Sequence, residues 1–504
     1  MNFILNFIRQ SIESSKVRYG LAGLLIGLIA YTMIVHGLII MDPRPIEYRE
    51  GAQLHLVNEL QNGVNIYDFS NKPYDTDVYG IAYHKVASLV TPSWASSYQP
   101  QRILTAFFIV GACVVILLMF RENSLDIKIG FVVACVWYAH YPRLWGICGR
   151  PDAMATLFYF FSVFLPWKYR FSRTTLAISA ACAVVAFFTK PYFAAGVVFV
   201  FIYLVYRKRM WDAVFHASIF GCIFLASVVL AHLSGSAYFY DTIFVNLGYG
   251  SGSNWKWLTG QIVRFIGLNL PLVACMFVAG WIGLKKWGAG SHTLPANGRV
   301  LSGLDFNYLI VAGVVATLVL LKIAQNKGSH EYFIHLLSPV LLVAGYKFLS
   351  SRRHITLALA AGVTQAAVLA PPFPDYHQNE WNDVKTIVAG NRRVLNSPTT
   401  VHLALSRGET VFDSGQTEYF QKGLEKGAKF YPQAVEAWGD FQEDLRGRVE
   451  KREFSLILLN AGMPSIIDRD ILRLDYYMSG TMPAPLYRQR NNVLELWQPI
   501  KPQP

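Results

Sequence analysis

Charge is what this sequence has least of. Only 15% of its 504 residues are Asp, Glu, Lys or Arg, against 53% hydrophobic. A soluble globular chain carries roughly a quarter charged residues, so the composition excludes an ordinary water-soluble enzyme and points to a membrane protein. Acids are the scarcer sign, with 32 Asp and Glu against 45 Lys and Arg and a net charge of +13. That excess does not imply nucleic acid, because the basic residues form short clusters between apolar runs, where orientation in a bilayer accounts for them. Cysteine is also sparse. Five of the six (Cys113, Cys135, Cys182, Cys222 and Cys275) fall in apolar runs, and no CxxC or CxxH spacing occurs. A disulfide framework and a zinc site are thereby excluded. Gly248-Tyr249-Gly250-Ser251-Gly252 lacks the strand–helix setting of a phosphate-binding loop. Fixed-period repeats and low-complexity tracts are missing.

Long apolar runs are abundant. A bilayer core needs about twenty such residues per helix. Candidates are 20–41, 101–120, 127–145, 152–167, 174–189, 191–206, 211–233, 262–284, 306–323, 331–349 and 354–371. The expected fold is therefore an all-α polytopic membrane bundle of about eleven transmembrane helices over 20–371. The first run is too long for a signal-peptide core and no small-residue cleavage site follows it, so an uncleaved span is expected. Ahead of it, Phe3, Ile4, Phe7, Ile8 and Ile12 recur at helical spacing, which predicts an amphipathic helix within 1–19 lying on the membrane surface. Beyond Pro371 the composition becomes that of a soluble unit, 372–504. The pattern predicts strands at 394–396, 410–413 and 454–459, helices at 398–407 and 432–449, and a hairpin of 486–489 with 493–497 around Asn491-Asn492. Alternating strands and helices make this a small C-terminal α/β domain.

The loops sort by charge. Lys16 and Arg18, Arg121 and Lys128, Lys168 with Arg170 and Arg173, Arg207 to Arg209, Lys285 with Lys286 and Arg299, and Arg352 with Arg353 all fall on one side of the eleven runs. The positive-inside rule makes that side cytoplasmic. The N-terminus is then cytoplasmic, and loop 42–100 and the C-terminal domain are extracytoplasmic, on a multi-pass protein of the cytoplasmic (inner) membrane. Isolated cations on the outer side, Arg143, Arg150, Lys190, Lys256, Lys322 and Lys327, run against that rule. Anion binding at the membrane surface is one reason for them.

Loop 42–100 carries the chemistry. Glu50 to Asn62 reads as a short amphipathic helix resting on the outer leaflet, with Leu54 and Val57 at helical spacing and Gly63 to close it. Glu47 and Glu50, one turn apart just after the first span, are candidates for a general base acting on an acceptor hydroxyl, since burial at an apolar rim raises a carboxylate toward the working pH. Two acids favoured by a helix dipole are the plain alternative. Arg150 in Gly149-Arg150-Pro151-Asp152 can hold a phosphate bidentately or merely pair with Asp152; Arg143 has the same two readings. Lys190 is either a snorkelling lysine or a phosphate partner. Lys327-Gly328-Ser329-His330 is an anion site at a helix start or a turn. Asp75-Thr76-Asp77 matches the DxD pattern of metal-dependent nucleotide-sugar transferases. Three letters carry little, so Asp77 is taken as an acceptor-side group; no cofactor is required, and a divalent metal stays an option. His55 and His84 lack partners at ligand spacing and read as loop histidines rather than metal ligands.

Taken together, Glu50-Gly51 with Gly63 and Tyr67, Pro73 through Tyr79-Gly80, Arg102, Gly149-Arg150-Pro151-Asp152, Thr189-Lys190-Pro191, and Lys327-Gly328-Ser329 with Tyr332-Phe333 resemble the GT-C superfamily of polytopic glycosyltransferases, in its bacterial glycosyltransferase 39 or dolichyl-phosphate-mannose-protein mannosyltransferase-like branch. The resemblance covers most of 40–345. It implies an inverting transfer from a polyprenyl-phosphate sugar donor to a glycan, lipid or protein acceptor at the outer face. A first-loop acid, Glu50 or Glu47, would be the base. Arg143, Arg150, Lys190 and Lys327 would hold the donor phosphate, and Tyr67, Asp77, Tyr79, His84, Asp152 and Tyr332 would line the substrate site. The family often has adjacent Asp-Glu where this chain separates its acids by two residues. Two rivals are a polyprenyl-linked glycan transporter or flippase and a non-catalytic assembly subunit. Transporters place ionisable groups at the bilayer midplane, whereas these span centres are nearly free of charge.

Overall fold

The computed structural model describes residues 14–92, 97–119, 124–141, 147–234, 237–249, 255–270, 273–274, 306–325, 333, 335–336, 352–371, 378–461, 465–483 and 493–500. The helices are α1 (Ser15–Met41), α2 (Arg49–Gln61), α3 (Ile81–Val90), α4 (Gln99–Met119), α5 (Ser124–His140), α6 (Asp152–Lys168), α7 (Arg173–Thr189), α8 (Ala195–Tyr206), α9 (Met210–Ser234), α10 (Asn246–Tyr249), α11 (Trp255–Leu268), α12 (Phe306–Gln325) and α13 (Arg352–Leu369). The C-terminal part adds α14 (Gln378–Ala389), β1 (Val394–Leu395), α15 (Val401–Ser406), α16 (Thr417–Gly427), α17 (Pro432–Glu450), β2 (Leu456–Asn460), α18 (Arg469–Asp475), β3 (Tyr476–Pro483) and β4 (Val493–Pro499). Of the expected 1–19 surface helix, residues 1–13 lie outside the described residues and 15–19 are the first turns of α1; the span at 331–349 apart from three residues, and much of 262–284, also lie outside them.

The apolar runs become packed helices. Ser15–Met41, Gln99–Met119 and Met210–Leu230 are long and apolar enough to cross a membrane; Gly130–Ala139, Arg173–Thr189, Pro191–Tyr206, Gly313–Lys322 and Ile355–Leu369 are apolar but shorter. The chain is thus a mostly helical membrane protein. Helix α6 sits at the centre, packed on α4, α7 and α8. Its Tyr159, Phe160, Val163 and Phe164 are almost fully buried, and ring contacts with Trp137, Phe193 and Phe199 knit it to its neighbours. Ser172 caps α7 by accepting from the Thr175 amide, meeting one of the donors a helix start leaves open. In contrast, α9 exposes Trp211, Leu225, Val229, Leu230 and Leu233, an apolar face suited to lipid.

The C-terminal sheet has the order β1-β2-β4-β3, with β1 parallel to β2 and the other pairs antiparallel. Every residue of β2 is buried. Leu456 and Leu458 face Trp381, Val384 and Val388 of α14, while Ile457 and Leu459 face Phe441, Leu445 and Val449 of α17. The two-residue period of a strand therefore feeds two apolar layers, one on each side. Two expectations change. Residues 410–413 form no strand, because the Asn396 side chain takes their backbone: the Phe412 amide donates to Asn396 Oδ1 at 2.8 Å and Asn396 Nδ2 donates to the Asp413 carbonyl at 2.7 Å. The hairpin partner of β4 is 476–483 rather than 486–489, which lies outside the described residues.

Helix α2 is not laid on a lipid surface. Glu50 through Val57 are all buried, between α3 and the C-terminal α15. The C-terminal part is docked on loop 42–100 and on the segment 240–248. Tyr48 Oη lies 2.7 Å from Tyr419 Oη, the Val78 amide donates to Gln416 Oε1 at 2.8 Å, and Tyr240 Oη donates to the Phe420 carbonyl at 2.8 Å. Gly415 sits at φ +85°, and a Cβ there would come within 3.0–3.3 Å of Tyr48 and Pro398, so a side chain is disfavoured by conformation and crowded in space.

Two acids beside this contact are unusual. Burial pushes the Asp413 carboxyl up to about 7 against the Gly415 amide that holds its anion. Burial likewise pushes Glu418 up to about 7, with Lys422 opposing and Asp413 adding. Their folded-state values lie above the unfolded ones, so the folded protein binds more protons between pH ~4 and 7. Their contribution is complete below the unfolded values and is lost as pH rises through 7. Thermal unfolding of the C-terminal part should therefore have a higher Tm at pH 5.5 than at pH 8, and Asp413→Asn with Glu418→Gln should flatten that slope.

Candidate active site

The loop that follows α1, the start of α6 and the end of α7 meet in one buried cluster. Loop residue Gly80 donates its amide to the Thr189 carbonyl at 3.1 Å, and a Cβ at Gly80 would lie inside the Phe188 carbonyl. Only glycine lets the chain press so close to the end of α7. This contact lays the Tyr79 ring over Lys190, whose Nζ is 4.8 Å from the ring centre. Lys190 Nζ donates to Asp152 Oδ1 at 2.6 Å. Arg150 reaches three groups: Nη2 donates to Tyr79 Oη at 3.0 Å, Nε lies 3.4 Å from Asp152 Oδ2, and Nη1 lies 3.6 Å from Glu47 Oε2. Glu47 Oε1 accepts from Arg49 Nε. Burial draws the Lys190 ammonium down while Asp152 pulls it back up. Three cations thus face two carboxylates in a site of low exposure, a field suited to an anion.

The two candidate acids have different surroundings. Glu50 is saturated. Its Oε1 accepts from Arg102 Nε at 2.8 Å and the Gly149 amide at 2.9 Å; its Oε2 accepts from Arg102 Nη2 at 2.8 Å and the Ile46 amide at 2.8 Å. Arg102 is equally committed, its remaining donors going to the carbonyls of Ile39, Asp42 and Arg44. Glu47 is as deeply buried as Glu50, but among the described residues its Oε2 has no hydrogen-bond partner. A buried carboxylate oxygen with an unused acceptor site is the group able to take a proton. Nothing in the residue types distinguishes these acids; the difference is made by Arg102, fifty-two positions away.

The other predicted residues form a second layer. Tyr67 Oη donates to Asp77 Oδ2 at 2.7 Å, the Tyr79 amide donates to Asp77 Oδ1 at 2.9 Å, and His84 Nδ1 lies 3.3 Å from Asp77 Oδ2. His84 Nε2 is 2.7 Å from Gln53 Oε1. Asp77 therefore holds Tyr79 in place. Asp75 turns elsewhere, to His55 Nε2 at 2.8 Å. The two carboxylates of the DxD pattern engage different partners, and among the described residues no three His, Cys, Asp or Glu side chains converge as a metal-binding group. Sequence reading missed the fully buried pair Lys72 and Asp241, 2.5 Å apart, which ties loop 42–100 to the segment 240–245. A lone lysine in a polar loop gives no signal of burial. Arg143, Lys327 and Tyr332 lie outside the described residues.

Removing one member of the Glu50–Arg102 pair strands the other charge in the interior, at a cost of about 3–5 kcal/mol. Arg102→Met and Glu50→Ala should each lower the Tm of the detergent-purified protein sharply, and Glu47→Gln should lower it far less.

No protein-family model matches the chain, and no curated protein matches it. Among solved structures it is similar to the crystal structure of ArnT from Cupriavidus metallidurans in the apo state, at 11% identity and a TM-score of 0.45, with 94% of this chain and 98% of that chain covered. It is also similar to ArnT from Cupriavidus metallidurans bound to undecaprenyl phosphate, at 12% identity, a TM-score of 0.42 and the same coverage.

Proposed function

We propose that this protein is a GT-C-type membrane glycosyltransferase that moves a sugar from a polyprenyl-phosphate donor to an acceptor hydroxyl at the outer face of the cytoplasmic membrane. The observation that carries this reading is the meeting of Glu47, whose Oε2 takes no hydrogen bond among the described residues and faces Arg150, with Arg150 and Lys190 at the ends of apolar helices. Glu47 removes the acceptor proton. The acceptor oxygen attacks the anomeric carbon as the bond from that carbon to the phosphate oxygen breaks on the opposite face, which inverts the centre. Arg150 and Lys190 hold the charge that collects on the departing prenyl phosphate, so no general acid is needed. Asp152 keeps both cations aimed, and Tyr79 packs against them. Glu50 serves by holding the Glu47 turn rigid through Arg102.

The clusters of Lys and Arg on alternate loops support a multi-pass topology of about eleven spans, with a cytoplasmic N-terminus and an extracytoplasmic C-terminal part. That side suits the donor: the prenyl tail runs between helices and the sugar sits at the depth of Glu47. The acceptor approaches from the side of the C-terminal part.

Purified full-length protein given a polyprenyl-phosphate sugar should release prenyl phosphate slowly, and faster when acceptor is added. Glu47→Gln should lower that release by about 10²- to 10⁴-fold, and Arg150→Ala or Lys190→Ala by about 10²-fold or more. Retention of the wild-type rate in Glu47→Gln would remove Glu47 from the reaction and the proposal with it.

A further inference from the structure

Residues 77–80 carry Tyr79 into the cluster, and all four of their backbone amides are hydrogen-bonded, three of them to other elements. The Asp77 amide donates to Asp241 Oδ2 at 3.3 Å and the Tyr79 amide to Asp77 Oδ1 at 2.9 Å. The Gly80 amide donates to the Thr189 carbonyl at 3.1 Å. The Val78 carbonyl accepts from Asn246 Nδ2 at 2.8 Å. The remaining donor, the Val78 amide, goes to Gln416 Oε1 at 2.8 Å, and Gln416 is fully buried. It is the one of these holding groups that comes from the C-terminal part. On the other side of the site the same segment reaches the neighbour of Glu47: Tyr419 Oη meets Tyr48 Oη at 2.7 Å, and Gly415 packs on the Tyr48 ring and carbonyl. Four residues, 416–419, therefore bridge the two stretches of loop 42–100 that present Tyr79 and Glu47.

That bridge is itself held from behind. Phe420 and Gly423 pack on Tyr240, and Gly248 lies against the Lys422 carbonyl so closely that a side chain is excluded there. The same outer segment, 240–248, supplies Asp241 and Asn246. The reacting side of the site is thus closed by a double tie, of which one strand runs through the C-terminal part.

We propose that the C-terminal part is a working wall of this site, in which Gln416 and Tyr419 are positioning residues: Gln416 sets Tyr79, and through it Arg150 and Lys190, while Tyr419 sets the Tyr48 neighbour of Glu47. This rests on the glycosyltransferase reading for its kinetic consequence but not for its structural one. Gln416→Leu is nearly isosteric and deletes the acceptor. It leaves the Val78 amide without its partner and frees Tyr79 to drift, and misplacements on the ångström scale cost catalysis about 10²-fold.

Two measurements on the full chain in detergent test this. In turnover of a polyprenyl-phosphate sugar, Gln416→Leu should lower kcat by about 10-fold or more while the donor KM stays within about twofold. Gln416→Glu, which keeps an acceptor oxygen, should recover most of the loss, and Tyr419→Phe should lower kcat by about fivefold, the worth of one neutral hydrogen bond. In hydrogen exchange read by mass spectrometry, the peptide holding Val78 should be protected in the wild type and exchange about tenfold faster in Gln416→Leu, the same loss of one hydrogen bond seen without any substrate. Faster exchange with no turnover in the wild type would sink the glycosyltransferase reading and keep the positioning one. Unchanged exchange and unchanged kcat in Gln416→Leu would overturn the positioning role. Should Gln416→Leu not fold, Tyr419→Phe decides the matter by kcat and by exchange of the peptide holding Tyr48, where unchanged values in both overturn the positioning role.

Discussion

A single guanidinium organises the end of the helix bundle where α1, α4 and α6 meet loop 42–100. Arg102 projects from the first turn of α4 and spends every donor it has: two on Glu50 and three on the carbonyls of Ile39, Asp42 and Arg44. Those carbonyls belong to the end of α1 and the turn after it, where a helix leaves acceptors unmet. Glu50 in turn collects the amides of Ile46 and Gly149. One buried ion pair thereby fixes the exit of α1, the start of α2, the start of α4 and the approach to α6. Its burial would be costly if any of those groups were missing. Because all are present, the pair is a frame, and the cluster of Glu47, Arg150, Asp152 and Lys190 is built beside it.

What the frame presents is a contrast. Glu50 has both oxygens occupied by four hydrogen bonds. Glu47, three residues earlier, has one oxygen on Arg49 and one with no hydrogen bond, facing Arg150. Such an arrangement is strained in the electrostatic sense: an unsatisfied buried acceptor is expensive, and sites of function are where that expense is found. Asp152 links Arg150 to Lys190, and Tyr79 covers both. The cluster is built from three stretches far apart in sequence, held together by backbone contacts such as the one between Gly80 and Thr189.

The sequence made some of this legible and hid the rest for physical reasons. Hydropathy located α1, α4, α6, α7, α9 and α13 to within a few residues, since length and apolarity are what a bilayer selects. The start of α2 at Arg49–Glu50 and the convergence of Glu47, Arg150, Asp152 and Lys190 were also readable from their positions at span ends. The choice between Glu47 and Glu50 was not, because it depends on which acid Arg102 reaches, a tertiary fact. The same holds for Asp77, which carries a DxD spacing but serves Tyr67, the Tyr79 amide and His84. Residues 410–413 have strand-like composition, yet the Asn396 side chain substitutes for a neighbouring strand. The docking of 413–420 onto loop 42–100 leaves no periodic signal, because its contacts are single hydrogen bonds and close glycine approaches.

The central claim is that Glu47, Arg150 and Lys190 surround the reacting phosphate while Glu50 and Arg102 stand outside it. The most direct measurement is a structure of the full-length protein with a polyprenyl phosphate bound. The account predicts phosphate oxygens within hydrogen-bonding distance of Arg150 and Lys190, with Glu47 Oε2 facing the position of the sugar and the Glu50–Arg102 pair unbroken. A phosphate seated on Arg102, or on the lysines and arginines at the opposite ends of the helices, would contradict it.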